Sequence, residues 1–262
     1  MDVQSRLIQA TTAKGWLDDC RPLPALVLRE LHERLSVRLT HHSTAIEGNT
    51  LSQSETQIVL EKGMTIAGHS LREHLEVVSH RDALEFVMSL ANNSEAISER
   101  SIRELHSLVM RGQEPADGGA YRTLNVMAAG TEYRYPDSLH VPSLMQDYVA
   151  WWNRATDLHP ILWASEAHLR FVTIHPFRDG NGRVGRLLLN LALIRSGYPM
   201  AVIRNEHRSH YIDALAEAQK ADNCAGLEAM IIDAVIASLR EVLGVAHSAG
   251  CPLPPEALVW VG

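Results

Sequence analysis

The sequence predicts an all-α fold: a mostly helical single domain with one small β-hairpin flap. Three observations lead there. Apolar residues recur at three- and four-residue spacing through most of the 262 positions. Helix start and stop signals punctuate those runs. One stretch, 118–136, loses the helical period altogether. The content, 46% apolar and 21% charged, is that of a globular chain with ample material for a core.

The elements follow in order. Residues 1–24 are weakly patterned and read as an N-terminal extension. Pro24 opens a helix that runs to Glu47, with Leu28, Leu31, Leu35 and Leu39 on one stripe, and Gly48 stops it. Ser52 with Glu55 forms a capping box, and Gly63 ends the short helix that follows. Ser70 with Glu73 repeats the box and starts a longer helix with Leu71, Leu75 and Val78 inward. Residues 98–111 make another, closed by Gly112. Pro142 and Pro160 stand where a first helical turn accepts proline. A strongly apolar helix spans 183–196 and stops at Gly197. Two more run at about 207–220 and 226–243, and 244–262 read as a tail packed on the body. In the aperiodic stretch, "GGAYRTLNVMAAGTEYRYP" holds two extended runs around Ala129-Gly130, the pattern of a hairpin.

Composition narrows the function. A net charge of −7 implies no general affinity for nucleic acid or anionic membrane. Cys20, Cys224 and Cys251 are odd in number, far apart and without a CxxC. A disulfide framework or zinc site is therefore not expected, and a reducing cytosol fits. No apolar run is long enough to span a membrane. His41 and His42 point about 100° apart on a helix, so the expectation is solvated side chains rather than a shared metal. Trp151 and Trp152 read as core and rim packing. The basic run at Arg204, His207 and Arg208 suits either a phosphate contact or a helix cap.

The chemistry concentrates in "HPFRDGNGRVGR", residues 175–186, between two apolar helical runs. Gly180 and Gly182 flank Asn181 and let the backbone turn its N–H groups toward one point. The helix that follows adds its positive end, a place that binds phosphate. Arg183 and Arg186 project from one face of the first turn as bidentate phosphate ligands. Asp179 supplies a hard oxygen for a Mg²⁺ ion bridging phosphates. His175 takes a proton near neutral pH, as a base activating a hydroxyl must. Base, metal ligand and anion nest together describe transfer of a phosphorus group to a hydroxyl. A second stretch, "STAIEGN", ends a helix on Glu47, where the dipole disfavours an acid.

These residues resemble a known family. "HPFRDGNGRVGR" matches the Fic motif, HxFx(D/E)GNGRxxR, at every defined position. "GAYR" with "NVM" resembles the segment leading into the Fic flap, and "HRSHYIDALAEA" the segment that lines the nucleotide base. "STAIEGNTLSQSE" is similar to the Fic inhibitory motif (S/T)xxxE(G/N). The likeness covers about residues 25–243, with an inhibitory helix at about 25–48. It implies a protein adenylyltransferase that moves AMP from ATP to a Ser, Thr or Tyr hydroxyl of a protein, itself included. By position, His175 would be the base and Asp179 would hold Mg²⁺ or Mn²⁺. Gly180, Asn181, Gly182, Arg183 and Arg186 would bind the ATP phosphates. Phe177 would anchor the loop, and Tyr211 would lie near the adenine or ribose. Val126 would belong to the target-binding flap. Gln219 stands where the family carries an asparagine near the adenine. Glu47, with Ser43, would pair with Arg186 and inhibit. Two other roles stay open: removal of AMP with Glu47 orienting water, and a non-catalytic binding module. Homodimers are common in the family. The chain lacks the anchor and helical repeats of the animal members, so the expectation is a cytoplasmic, bacterial relative.

Overall fold

This computed structural model describes residues 2–93, 95–113, 118–127, 133–154, 156–221 and 223–262. Among them run α1 (Val3–Asp19), α2 (Ala25–Ile46), α3 (Gln53–Lys62), α4 (Leu71–Asn92), α5 (Glu99–Val109) and α6 (Val141–Trp152). Then follow α7 (Pro160–Ile174), α8 (Asn181–Arg195), α9 (Arg208–Ala221), α10 (Ala225–Ser248) and α11 (Pro255–Val261).

The centre is α8. Its residues from Val184 to Leu193 are buried without a break, so it has no solvated stripe. It packs against α7, α4, α5 and the end of α2. Gly185 permits the close approach to α7, because a Cβ there would lie 2.8 Å from Val172 Cγ1. The capping boxes at Ser52–Glu55 and Ser70–Glu73 form as expected. A third, Ser98 with Ser101, opens α5. Pro142 and Pro160 fall in first turns, and Gly63 closes α3 in the left-handed conformation.

Several expectations need correction. Residues 1–24, weakly patterned in the sequence, hold a helix: α1 is capped by Asp2 and buries Leu7, Ala10, Ala13 and Leu17 against α10. Its buried stripe is half alanine, so it carries little amphipathic contrast. In the tail, α10 continues to Ser248 and α11 forms behind Pro254 and Pro255. Cys20 and Cys251 are joined by a disulfide, with their Cα atoms 5.7 Å apart. Spacing along the chain could not show this, because 231 residues separate the pair and only the packing of α1 on α10 brings them together. On α2, Leu28 is exposed while Leu31, Leu35 and Leu39 enter the core. On α4 the inward face is His74, Val77, His80 and Leu84, and Leu71 points to solvent. His42 is buried rather than solvated and accepts a hydrogen bond from Asn205 N at 3.3 Å. Trp152 is core and Trp151 lies at its rim.

The hairpin is also corrected. Described residues 118–127 and 133–136 contain no strand, and the Ala129-Gly130 turn lies outside the described residues. Side chains take the place of a ladder. Arg122 donates to Leu124 O and Pro136 O, Asn125 donates to Asp137, and Ser138 donates to Thr123 O.

Candidate active site

The loop between α7 and α8 begins at His175, whose φ of 52° is left-handed. For a residue with a Cβ this costs energy, so the surroundings must impose it. Arg122 does part of that work: its Nε donates to His175 O at 2.8 Å and its N–H to Pro176 O at 2.9 Å. Asn181 closes the loop from the other end. Its Oδ1 accepts from Phe177 N at 2.9 Å, and its Nδ2 donates to Phe177 O at 2.8 Å. The amide is thus engaged within the loop. Phe177 is fully buried, as expected for an anchor, and stacks on His106 with ring centroids 3.7 Å apart.

His106 is a loop-holding residue that sequence reasoning missed. Gly119 N donates to its Nδ1 at 2.8 Å, so Nε2 carries the proton that bonds Asp179 O at 3.0 Å. Its place beside Ile102, Leu105 and Val109 made it one more core position of α5. Gly180 turns left-handed beside it (φ 77°), where a Cβ would meet Met110 Sδ at 2.9 Å.

These contacts shape a cavity of about 350 Å³. Its wall includes Glu47, Val126, His175, Asp179, Gly180, Asn181, Gly182, Arg186, Tyr211 and Gln219. Ser43 and Arg183, the other two expected site residues, do not line it. Within the cavity His175 is neutral: burial drives its pKa down to about 4, only partly opposed by its bond to Val172. Its Nδ1 lies 3.3 Å from Val172 O, and a carbonyl only accepts, so the proton sits on Nδ1. The Nε2 lone pair is left to take a proton.

Arg186 is buried at the start of α8. Its Nε donates to Ser43 Oγ at 3.0 Å, and its Nη2 to Ser43 O at 2.7 Å and to Glu47 Oε1 at 2.8 Å. Glu47 caps the C-terminal end of α2, and Gly48 turns left-handed behind it (φ 105°). The carboxylate lies directly on the glycine loop at the start of α8: a Cβ on Gly182 would collide with Glu47 Oε1. Arg208 caps α2, donating from Nε to Ile46 O at 2.7 Å, and it also lines the cavity.

Arg183 turns the other way. It pairs with Glu76 on α4, donates to Gln113 Oε1 at 3.0 Å and reaches Asp179 Oδ1 at 3.3 Å. Glu76 also accepts from Asn49 Nδ2 at 2.9 Å. It was missed because an acid between Leu75 and Val77 reads as a solvated position. Tyr211 is buried, and its hydroxyl lies 2.7 Å from His168 Nε2.

The described residues contain no group of three or more His, Cys, Asp or Glu that could hold a metal ion by themselves. Asp179 nevertheless suits Mg²⁺. Its side chain is half exposed on the cavity wall. An ion carried mainly by nucleotide phosphates and water needs only one or two carboxylates.

Comparison with known proteins agrees with this geometry. A family model described as the Fic/DOC family matches residues 96–193. "Protein adenylyltransferase Fic" of Aedes aegypti is 36% identical over 200 residues, 75% of this chain and 40% of that protein. The structure of Fic-1 from C. elegans, residues 134–508, superposes with a TM-score of 0.85 at 31% identity, covering 95% of this chain and 74% of that one. A Fic domain containing signaling protein from Bacteroides thetaiotaomicron gives a TM-score of 0.84 at 28% identity, covering 93% and 98%. The chain belongs to the Fic/DOC family. It spans about 40% of the length of the curated relatives it matches. Among the described residues no helix is long and apolar enough to cross a membrane.

Proposed function

We propose that the chain is a protein adenylyltransferase, transferring AMP from ATP to a hydroxyl side chain of a protein, and that Glu47 restrains it. The carrying observation is one cavity wall that holds a neutral His175 with a free Nε2, the glycine cradle at the start of α8, and Arg186. The curated relatives named protein adenylyltransferase support the same reading.

The residues divide the work. The cradle at Gly180–Gly182 and the positive end of α8 receive phosphate. Asp179 would hold Mg²⁺, which when bound supplies charge neutralisation on the phosphates. His175 Nε2 takes the proton of the target hydroxyl. That oxygen bonds to the α-phosphorus, the bond from the α-phosphorus to the bridging oxygen breaks, and pyrophosphate leaves. Tyr211, Ile212, Leu215 and Gln219 supply the α9 wall on which the base and ribose would lie. Val126, on the cavity rim, would face the target segment. Glu47 holds Arg186 and covers Gly182, so ATP would seat without its γ-phosphate partner.

Labelled ATP with Mg²⁺ tests this. The expected result is label on the chain itself or on a host-lysate protein, lost in His175→Ala with ATP affinity kept. Retained transfer in His175→Ala contradicts the base assignment. A second reading, removal of AMP, is favoured by the Glu47 carboxylate facing the same cavity as His175, where it would orient water. It requires AMP release from a modified protein that stops in Glu47→Gly.

A further inference from the structure

Tyr135 has no role in the function above, yet it touches the centre of the site. Its ring stacks on the His175 imidazole with centroids 4.0 Å apart and planes 27° from parallel. It also lines the cavity. The imidazole needs such a partner. Among the described residues the ring makes one hydrogen bond, from Nδ1 to Val172 O, and it is long at 3.3 Å. A single bond to one carbonyl sets the tautomer but leaves the ring plane free to tilt about it. A flat aromatic face at stacking distance fixes that plane.

What holds Tyr135 there is Arg122. This guanidinium is 5% exposed and is spent on backbone carbonyls: His175 O at 2.8 Å, Pro136 O at 2.6 Å and Leu124 O at 3.2 Å. Its own N–H bonds Pro176 O at 2.9 Å. One side chain therefore ties both limbs of the flap, 124 and 136, to the backbone of His175. Pro136 follows Tyr135 directly, so the bond to its carbonyl sets where the Tyr135 ring falls. The planar fork with several donors in fixed directions suits this task, and a lysine ammonium would not reproduce it.

We infer that Tyr135 is a positioning residue for His175, held in place by Arg122, so that the flap limb at 133–136 is part of the proton-transfer site. This rests on His175 being the base. Among the described residues the Tyr135 ring lies against the imidazole, and the charges that act on it are those of Arg122, Glu47 and Asp179. Burial is the main influence keeping it neutral. Removing the Tyr135 ring opens one face of the imidazole to water, which favours protonation.

The test uses the full chain, labelled ATP at saturation, and Tyr135→Phe, Tyr135→Ala, Tyr135→Leu and Arg122→Lys. Phe keeps the stack, and transfer should stay within twofold. Ala should slow transfer 10- to 100-fold with ATP affinity within twofold. Its acid limb should move up from near pH 4 toward 6.5. Leu fills the space without a π face and should lie between; it replaces Ala as the readout if melting curves show Ala unfolded. Arg122→Lys should slow transfer three- to tenfold with the limb moving the same way. Unchanged transfer in Ala or Leu overturns the inference. So does slowed transfer with an unmoved acid limb, or a Phe variant as poor as Ala. If instead His175→Ala still transfers AMP, the base assignment itself fails, which the separate variant shows.

Discussion

Arg183 and Arg186 stand three residues apart in the first two turns of α8, yet different kinds of acid meet them. Arg186 is met by Glu47, the last residue of a helix end, with a side chain 35% exposed on the cavity wall. Arg183 is met by Glu76, inside α4 in its second turn and 12% exposed. That pair lines an adjoining hollow of about 280 Å³ with Asn49 and Gln113, which shares Glu47 and Asp179 with the first cavity. A helix-end acid can leave when one turn frays. An acid inside a helix cannot leave without its helix. Glu47 is thus built as a detachable partner and Glu76 as a fixed one. Glu47 also pays a dipole penalty at the C-terminal end of α2, which Arg186 and the Arg208 cap offset.

That contrast can be broken at its fixed side first. Glu76→Ala leaves a buried guanidinium with Asp179 and Gln113 alone. The expected loss of unfolding free energy in denaturant titration is toward the lower end of about 3–5 kcal/mol, with no gain in transfer. A gain would make Glu76 a second brake and erase the distinction.

The field of both arginines reaches His80, a buried imidazole whose Nδ1 lies 3.1 Å from Thr40 Oγ1. Burial first, then Arg186 and Arg183, hold its pKa down to about 3. The unfolded chain therefore binds the extra proton first as pH falls below 6.5, and stability drops. Between pH 6.5 and 4 this one group should cost on the order of 3 kcal/mol. His80→Asn should flatten that part of the stability–pH curve, and an unchanged slope would show His80 to be protonatable in the fold.

On the detachable side, Glu47→Gly should raise AMP incorporation at least tenfold while costing less stability than Glu76→Ala, because Ser43 Oγ and O still accept from Arg186. The smallest effect is expected at Arg208→Ala. Losing the cap on Ile46 O should loosen the last turn of α2 and raise transfer two- to fivefold. A fall in transfer with weakened ATP binding would assign Arg208 to the nucleotide instead.

Much of this was legible in the sequence, for physical reasons. The residues of 175–186 are contiguous, so their chemistry survives reading one position after another, and the expected site residues among them, Arg183 excepted, meet on one cavity wall. Glu47 was legible because an acid at a helix C-terminus asks for a distant cation. Glu76, His106 and Arg122 were not. Each works through a partner more than 50 residues away, and each occupies a position that helix or loop patterning already explains. The Cys20–Cys251 link was hidden for the same reason. The flap was misread because extended, glycine-flanked residues promise a ladder, whereas here side chains bond the backbone.

The central claim is that Glu47 restrains transfer by holding Arg186. A double-mutant cycle on AMP incorporation from labelled ATP tests it: the parent, Glu47→Gly, Arg186→Ala, and both together. If the pair is the brake, Glu47→Gly gains at least tenfold in the parent and gains nothing once Arg186 is alanine. An equal gain in both backgrounds would mean that Glu47 acts elsewhere, and the account would be wrong.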